Sequence, residues 1–108
     1  MLKRARTEGA VLASTCTHLD QVREVDPRAE GCEECLAADG RWVHLRICMS
    51  CGHIGCCDSS PGRHATGHHR HTTHPIVRSF EPGEDWWWCY PDDLAFEIEG
   101  FGPAPSHP

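Results

Sequence analysis

At 108 residues with 39% hydrophobic content, the chain is one domain whose core is too modest to hold it folded unaided. Its 10 basic and 16 acidic residues leave a formal charge of −6, which argues against the basic face needed to wrap nucleic acid. Eight cysteines and nine histidines supply the reinforcement a small domain needs, as disulfides or as metal ligands.

Residues 1–14 read as a loose, mildly basic leader. Lys3, Arg4 and Arg6 are followed only by Ala10-Val11-Leu12-Ala13, far short of a secretory signal core. No stretch reaches transmembrane length. The expectation is a cytoplasmic monomer with no membrane or nucleic-acid partner. The domain proper spans residues 15–99. It opens with Cys16-Thr17-His18 and an acidic run from Asp20 to Glu30, broken by Pro27. Arg41 to Ile47 alternates apolar and polar residues as a strand does. Pro61-Gly62 marks a turn, and Arg63 to Arg70 suits a short helix. Pro75 to Phe80 and Trp86 to Tyr90 read as two more strands, joined by a hairpin turn at Pro82-Gly83. Leu94 to Ile98 is a strand or a short helix. Residues 100–108, with three prolines, form a disordered tail. The fold class is α+β: a small zinc-stabilised domain with a twisted antiparallel sheet, one or two short helices and long zinc-pinned loops.

The choice between disulfides and metal falls to metal. Histidines interleave with the cysteines, which a disulfide scaffold does not require. Cys32-Glu33-Glu34-Cys35 and Cys48-Met49-Ser50-Cys51 are both C-x2-C knuckles. The tight turn in such a knuckle aims two sulfurs at one point, where zinc collects them at about 2.3 Å. Two knuckles followed by a histidine array point to zinc rather than to a redox dithiol, which wants a single pair in a βαβ setting. Downstream candidates to complete the two sites are Cys56, Cys57, His64, His68, His69, His71 and His74. His64 and His68 share a helical face. Cys16, His18 and Cys89 make a third set lacking a fourth ligand. His44, His53, His69 and His71 are surplus, with His44 half-exposed in its strand and the other three in solvent. A competing reading takes His64 to His74 as a nickel- or copper-handling stretch.

Cys16-x-His18, the two knuckles, Gly55-Cys56, His64-x3-His68-x5-His74-Pro75 and Trp88-Cys89-Tyr90 occur in that order. The combination resembles the zinc finger of the ubiquitin-specific-protease type (UBP type), over residues 16 to about 98. The resemblance implies a cross-braced arrangement. One zinc would take Cys32, Cys35, Cys56 and His64, and a second Cys48, Cys51, His68 and His74. A third would take Cys16, His18 and Cys89. Family members complete that site with a C-x2-C pair, but Asp92 stands three residues after Cys89, and Asp92 or Asp93 can substitute as a carboxylate ligand. The expected cofactor is therefore two to three Zn2+ ions, with Cys57 a free thiol.

Two sites with four ligands each leave no room for a catalytic water; the third set of three leaves one position open, but neither H-E-x-x-H nor H-x-E signatures are present. The chain reads as a non-enzyme. The resemblance further implies recognition of a free C-terminal Gly-Gly tail, as on ubiquitin, with Trp88, Tyr90 and Trp42 as aromatic walls. Asp58 stands where such members carry an arginine, and should repel a carboxylate by about 1 kcal/mol or more. Ala95 stands where a tyrosine is expected. The alternative keeps the zinc scaffold and gives it another protein partner through the Trp86-Trp87-Trp88 strand, with Trp86 and Trp88 on one face and Trp87 on the other.

Overall fold

The computed structural model of the chain describes residues 16–98 and residue 106. The expected leader and, apart from Ser106, the tail beyond residue 99 lie outside the described residues. After a 3-10 turn at Leu19–Gln21 come α1 (Glu33–Ala38), β1 (Leu45–Cys48), β2 (Ile54–Cys56), α2 (His64–Thr72), β3 (Ile76–Ser79), β4 (Trp87–Cys89) and β5 (Leu94–Phe96). The five strands form one antiparallel sheet in the order β2-β1-β3-β4-β5. The fold is α+β, as its patterning predicts.

Register divides the side chains between two faces, because successive residues of a strand alternate. Ile54, Ile47, Arg78, Trp87 and Phe96 pair in one row across the sheet. This row belongs to the core face, where Leu45, Ile47, Met49, Ile54, Ile76, Phe80 and Trp87 are buried against the cysteine sulfurs. Leu19, Val22 and Val25 of the N-terminal segment pack over that core. Arg46, Val77 and Trp88 point to the opposite face. The expected split of the three tryptophans is observed, with Trp87 fully buried and Trp86 and Trp88 half-buried.

Two elements escape the sequence pattern. Glu33–Ala38 is a helix, so the first knuckle sits on a helix N-terminus rather than in a simple turn. β2 is only Ile-Gly-Cys, too short to show alternation. The first strand starts at Leu45 rather than Arg41, and His44 is exposed just outside it. Helix α2 crosses the face opposite the core over Gly55, where a Cβ would sit 2.6 Å from the Ala65 nitrogen. Its C-cap Thr73 adopts φ 64° and donates its N–H to the His69 carbonyl at 2.7 Å, and Pro75 bars continuation.

Candidate metal centre

Four-coordinate zinc, with bonds of about 2.3 Å to sulfur and 2.0 Å to nitrogen, spaces its ligand atoms about 3.3–3.8 Å apart. The structure gathers Cys/His groups at that spacing in three places.

The first cluster joins α1, β2 and the start of α2. Cys32 N-caps α1, its sulfur accepting the Cys35 N–H at 3.4 Å, so one sulfur serves the helix end and the cluster together. His64 Nδ1 lies 3.2, 3.4 and 3.4 Å from the sulfurs of Cys32, Cys35 and Cys56, and Cys35 and Cys56 are 3.9 Å apart. Gly62 leaves the space that the His64 ring fills, because a Cβ there would overlap the imidazole. The second cluster joins the end of β1 and the loop after it to α2 and to His74, two residues before β3. Cys48 to His74 Nδ1 is 3.5 Å, Cys51 to His68 Nε2 is 3.4 Å, and the two ring nitrogens are 3.3 Å apart. All of these distances lie within about 0.1 Å of the range of tetrahedral edges.

The third cluster ties the N-terminal segment to the end of β4. His18 Nδ1 lies 3.6 Å from Cys16, 3.4 Å from Cys89 and 3.2 Å from Asp92 Oδ2. Asp92, not Asp93, faces this group. Its Oδ2 is aimed by the Thr17 backbone N–H at 2.8 Å and the Thr17 hydroxyl at 3.2 Å. The hydrogen bond from the Thr17 backbone is the main reason the Asp92 carboxyl is held below the usual carboxylate range. The sulfurs of Cys16 and Cys89 are 2.7 Å apart, so sharing a zinc ion requires them to part by about 1 Å.

Burial governs the charge state of these candidate ligands. Burial drives the Cys32 thiol up to about 12 and Cys48 up to about 11, and pushes Cys16, Cys35 and Cys89 upward too. Buried thiols of this kind become good ligands only where a metal ion compensates the thiolate charge. Burial first, then His53 and His74, lowers His68 to about 4, which keeps its imidazole in the neutral form that binds metal. Three centres fit two to three Zn2+ ions.

The surplus histidines are not all in solvent. His53 is 4% exposed; its Nε2 lies 2.7 and 2.9 Å from the Glu34 carboxylate oxygens, and its ring stacks on His68. The expectation of solvent exposure fails here because the ring is covered by His68 and the half-exposed Glu34 carboxylate pairs with its Nε2. His69 is half-buried, its Nδ1 2.8 Å from the His74 carbonyl oxygen and its ring stacked on Tyr90. His71 is exposed as expected. Cys57 belongs to none of the three groups. Burial alone would raise its pKa, but hydrogen bonds from Ser60, Ser59 and His44 and the Arg46 charge bring it down to about 7.

On the face away from the core lies an open cleft of about 160 Å³, lined by Arg46, Cys57, Asp58, Val77, Trp86, Trp88 and Tyr90. Among the expected partner-binding residues, Asp58, Trp88 and Tyr90 meet here. Trp42 stands elsewhere, its indole lying over Gly31, where a Cβ would come within 2.7 Å of the ring. Arg46, Cys57, Val77 and Trp86 complete the lining. Alternation in the Trp86-Trp87-Trp88 run puts Trp86 on the Trp88 face as expected, and alternation along β1 would have found Arg46.

The chain is similar to protein RPA1320 from Rhodopseudomonas palustris, solved by solution NMR, with a TM-score of 0.72 and 47% sequence identity over 88% of this chain and 98% of that one. No curated protein matches it. Residues 32–99 match the family described as the Zn-finger in ubiquitin-hydrolases and other proteins. With its knuckles, its histidine helix and its clusters in that family's order, the chain belongs to the UBP-type zinc fingers.

Proposed function

We propose that the chain is a non-catalytic interaction module whose zinc ions are structural. Its ligands are Cys32, Cys35, Cys56 and His64; Cys48, Cys51, His68 and His74; and Cys16, His18, Cys89 and Asp92. The observation that carries this reading is the donor count of each cluster. Four protein donors close a tetrahedral ion and leave no position for a reactive water. Of the α2 histidines, His64 and His68 lie in these clusters and His69 stacks on Tyr90, which leaves only His71 of them exposed and weighs against a nickel- or copper-handling role. Cobalt substitution tests the reading. Tetrahedral d–d bands without an exchangeable water support it, and a solvent-exchangeable position with hydrolytic turnover sinks it.

The binding surface in this proposal is the cleft lined from β1, β3, β4 and its flanks, and the residues after β2. It joins aromatic rings to one cation and one anion, the mixture of apolar walls and few polar groups that recognition sites use. A charge of −6 supports a protein rather than a nucleic-acid partner. Among the described residues no helix is long and apolar enough to cross a membrane. A titration of labelled protein with ubiquitin and with a Gly-Gly-ended peptide, followed at the Trp86, Trp88 and Tyr90 resonances, tests whether a free tail enters. Shifts confined to the opposite face would remove the cleft from consideration.

A further inference from the structure

Arg46 and Asp58 line the same cleft without neutralising each other. Among the described residues no carboxylate pairs with Arg46. Its Nη1 donates to the Leu45 carbonyl at 2.9 Å, and its guanidinium lies 4.3 Å from the centroid of Trp86. Asp58 is exposed, and its Oδ1 accepts the Thr66 hydroxyl at 2.6 Å. That same hydroxyl lies 3.3 Å from the Tyr90 oxygen, which sets Asp58 on the α2 side of the tyrosine. Arg46 reaches the cleft from β1.

An aromatic cleft with two separate, unpaired charges of opposite sign fits a ligand that brings both. We propose that it receives the carboxy terminus of a peptide ending in a basic residue. The terminal carboxylate lies on Arg46, and the side-chain cation on Asp58 beside Trp88 and Tyr90. This inference rests on the cleft being the binding surface. A guanidinium takes a carboxylate through two parallel hydrogen bonds, and a lysine or arginine head gains from an aromatic face as well as from the acid. A terminus without a side-chain cation, such as Gly-Gly, gains Arg46 but leaves Asp58 uncompensated. An internal basic residue gains Asp58 but leaves Arg46 without its anion. Free lysine carries an α-ammonium next to its carboxylate, which sets a second cation against Arg46; a peptide amide does not. The volume of about 160 Å³ is below that of ordinary small-molecule pockets and suits a terminal residue rather than a helix.

The test uses the zinc-loaded chain and fluorescent hexapeptides that differ only at the end: Gly-Lys with a free carboxylate, Gly-Lys amidated, and Gly-Gly with a free carboxylate. Fluorescence anisotropy reads the affinities, unlabelled lysine serves as competitor, and zinc content checks that each variant is folded. Gly-Lys should bind at least about tenfold tighter than either alternative, the factor that one good charge-assisted contact confers. Arg46→Ala should erase the difference between free and amidated ends. Asp58→Ala should erase the preference for lysine over glycine. Gly-Gly binding as well as Gly-Lys removes this inference and leaves the cleft assignment standing. Lysine competing as well as the peptide replaces the peptide with an amino acid and overturns the proposal. If no peptide binds or moves the Trp86, Trp88 and Tyr90 resonances, the cleft assignment itself falls.

Discussion

The imidazole of His53 lies flat on that of His68, with centroids 4.0 Å apart and planes within 4°. Its far nitrogen is bound by Glu34, which sits between Cys32 and Cys35 on α1. A residue outside every cluster thereby joins the backing of one centre to a ligand of the next. His53→Ala should lower zinc affinity at the Cys48/Cys51/His68/His74 centre by about 10–100-fold, as loss of a supporting partner does. Glu34→Gln should act in the same direction and more weakly. Competition against a chromophoric chelator measures both.

Metal removal should unfold most of the domain, because apparent zinc binding contributes about 10–16 kcal/mol in small fingers. Far-UV circular dichroism during chelation should show loss of the sheet and of α2, and zinc should restore them. Cys32→Ser or Cys48→Ser should abolish folding or cost one ion. Cys57→Ser should leave the zinc content unchanged. A chain that keeps its spectrum in excess chelator would contradict the proposed role of the metal.

Asp92→Ala should reduce the zinc count from three per chain to two, measured by elemental analysis of the purified protein. The carboxylate is aimed at His18 and Cys89 by Thr17, so the loss should be confined to the third centre. Amide exchange should quicken in the N-terminal segment and β5, and stay slow in β1 and β3.

Acid should dismantle the second centre in a defined window. His68 titrates at 6.5 in an ordinary environment and at about 4 in the fold, chiefly because it is buried, with His53 and His74 adding to the effect. Between those values the unfolded chain takes up a proton that the folded chain refuses. Stability that is fully present above pH 6.5 is therefore lost as pH falls towards about 4. Zinc release and tryptophan fluorescence followed together across that range should report it.

Gly52→Ala should destabilise the second knuckle by roughly 2 kcal/mol or more. Gly52 holds φ 87°, and an added Cβ would run into the Asp26 carbonyl. Chemical denaturation of the zinc-loaded protein checks the size of the loss.

Ligand chemistry was more legible in the sequence than secondary structure was. C-x2-C spacing, the i, i+4 pair His64 and His68, and Cys16-x-His18 are local patterns with a local physical meaning, and the structure gathers these residues into three groups. β2 was hidden because three residues containing glycine carry no periodicity. The helix at Glu33–Ala38 was hidden because its cap is a cysteine, which reads as a ligand. His53 was misjudged because its burial depends on His68 and its pairing on Glu34, 19 positions earlier. Trp42 was assigned to the cleft by residue type, whereas the small side of Gly31 decides where its ring lies.

Cys16 and Cys89 are 73 positions apart and in contact. With Asp92 and His18 they fasten the entry of the domain to its exit. With zinc bound in the proposed third centre, tension applied across residues 16 and 92 would be carried by coordination bonds and not by the hydrogen bonds of the sheet. β5 lies beyond this clamp and can peel away at low force. The strands enclosed by it are shielded from the load until a ligand is torn from the metal.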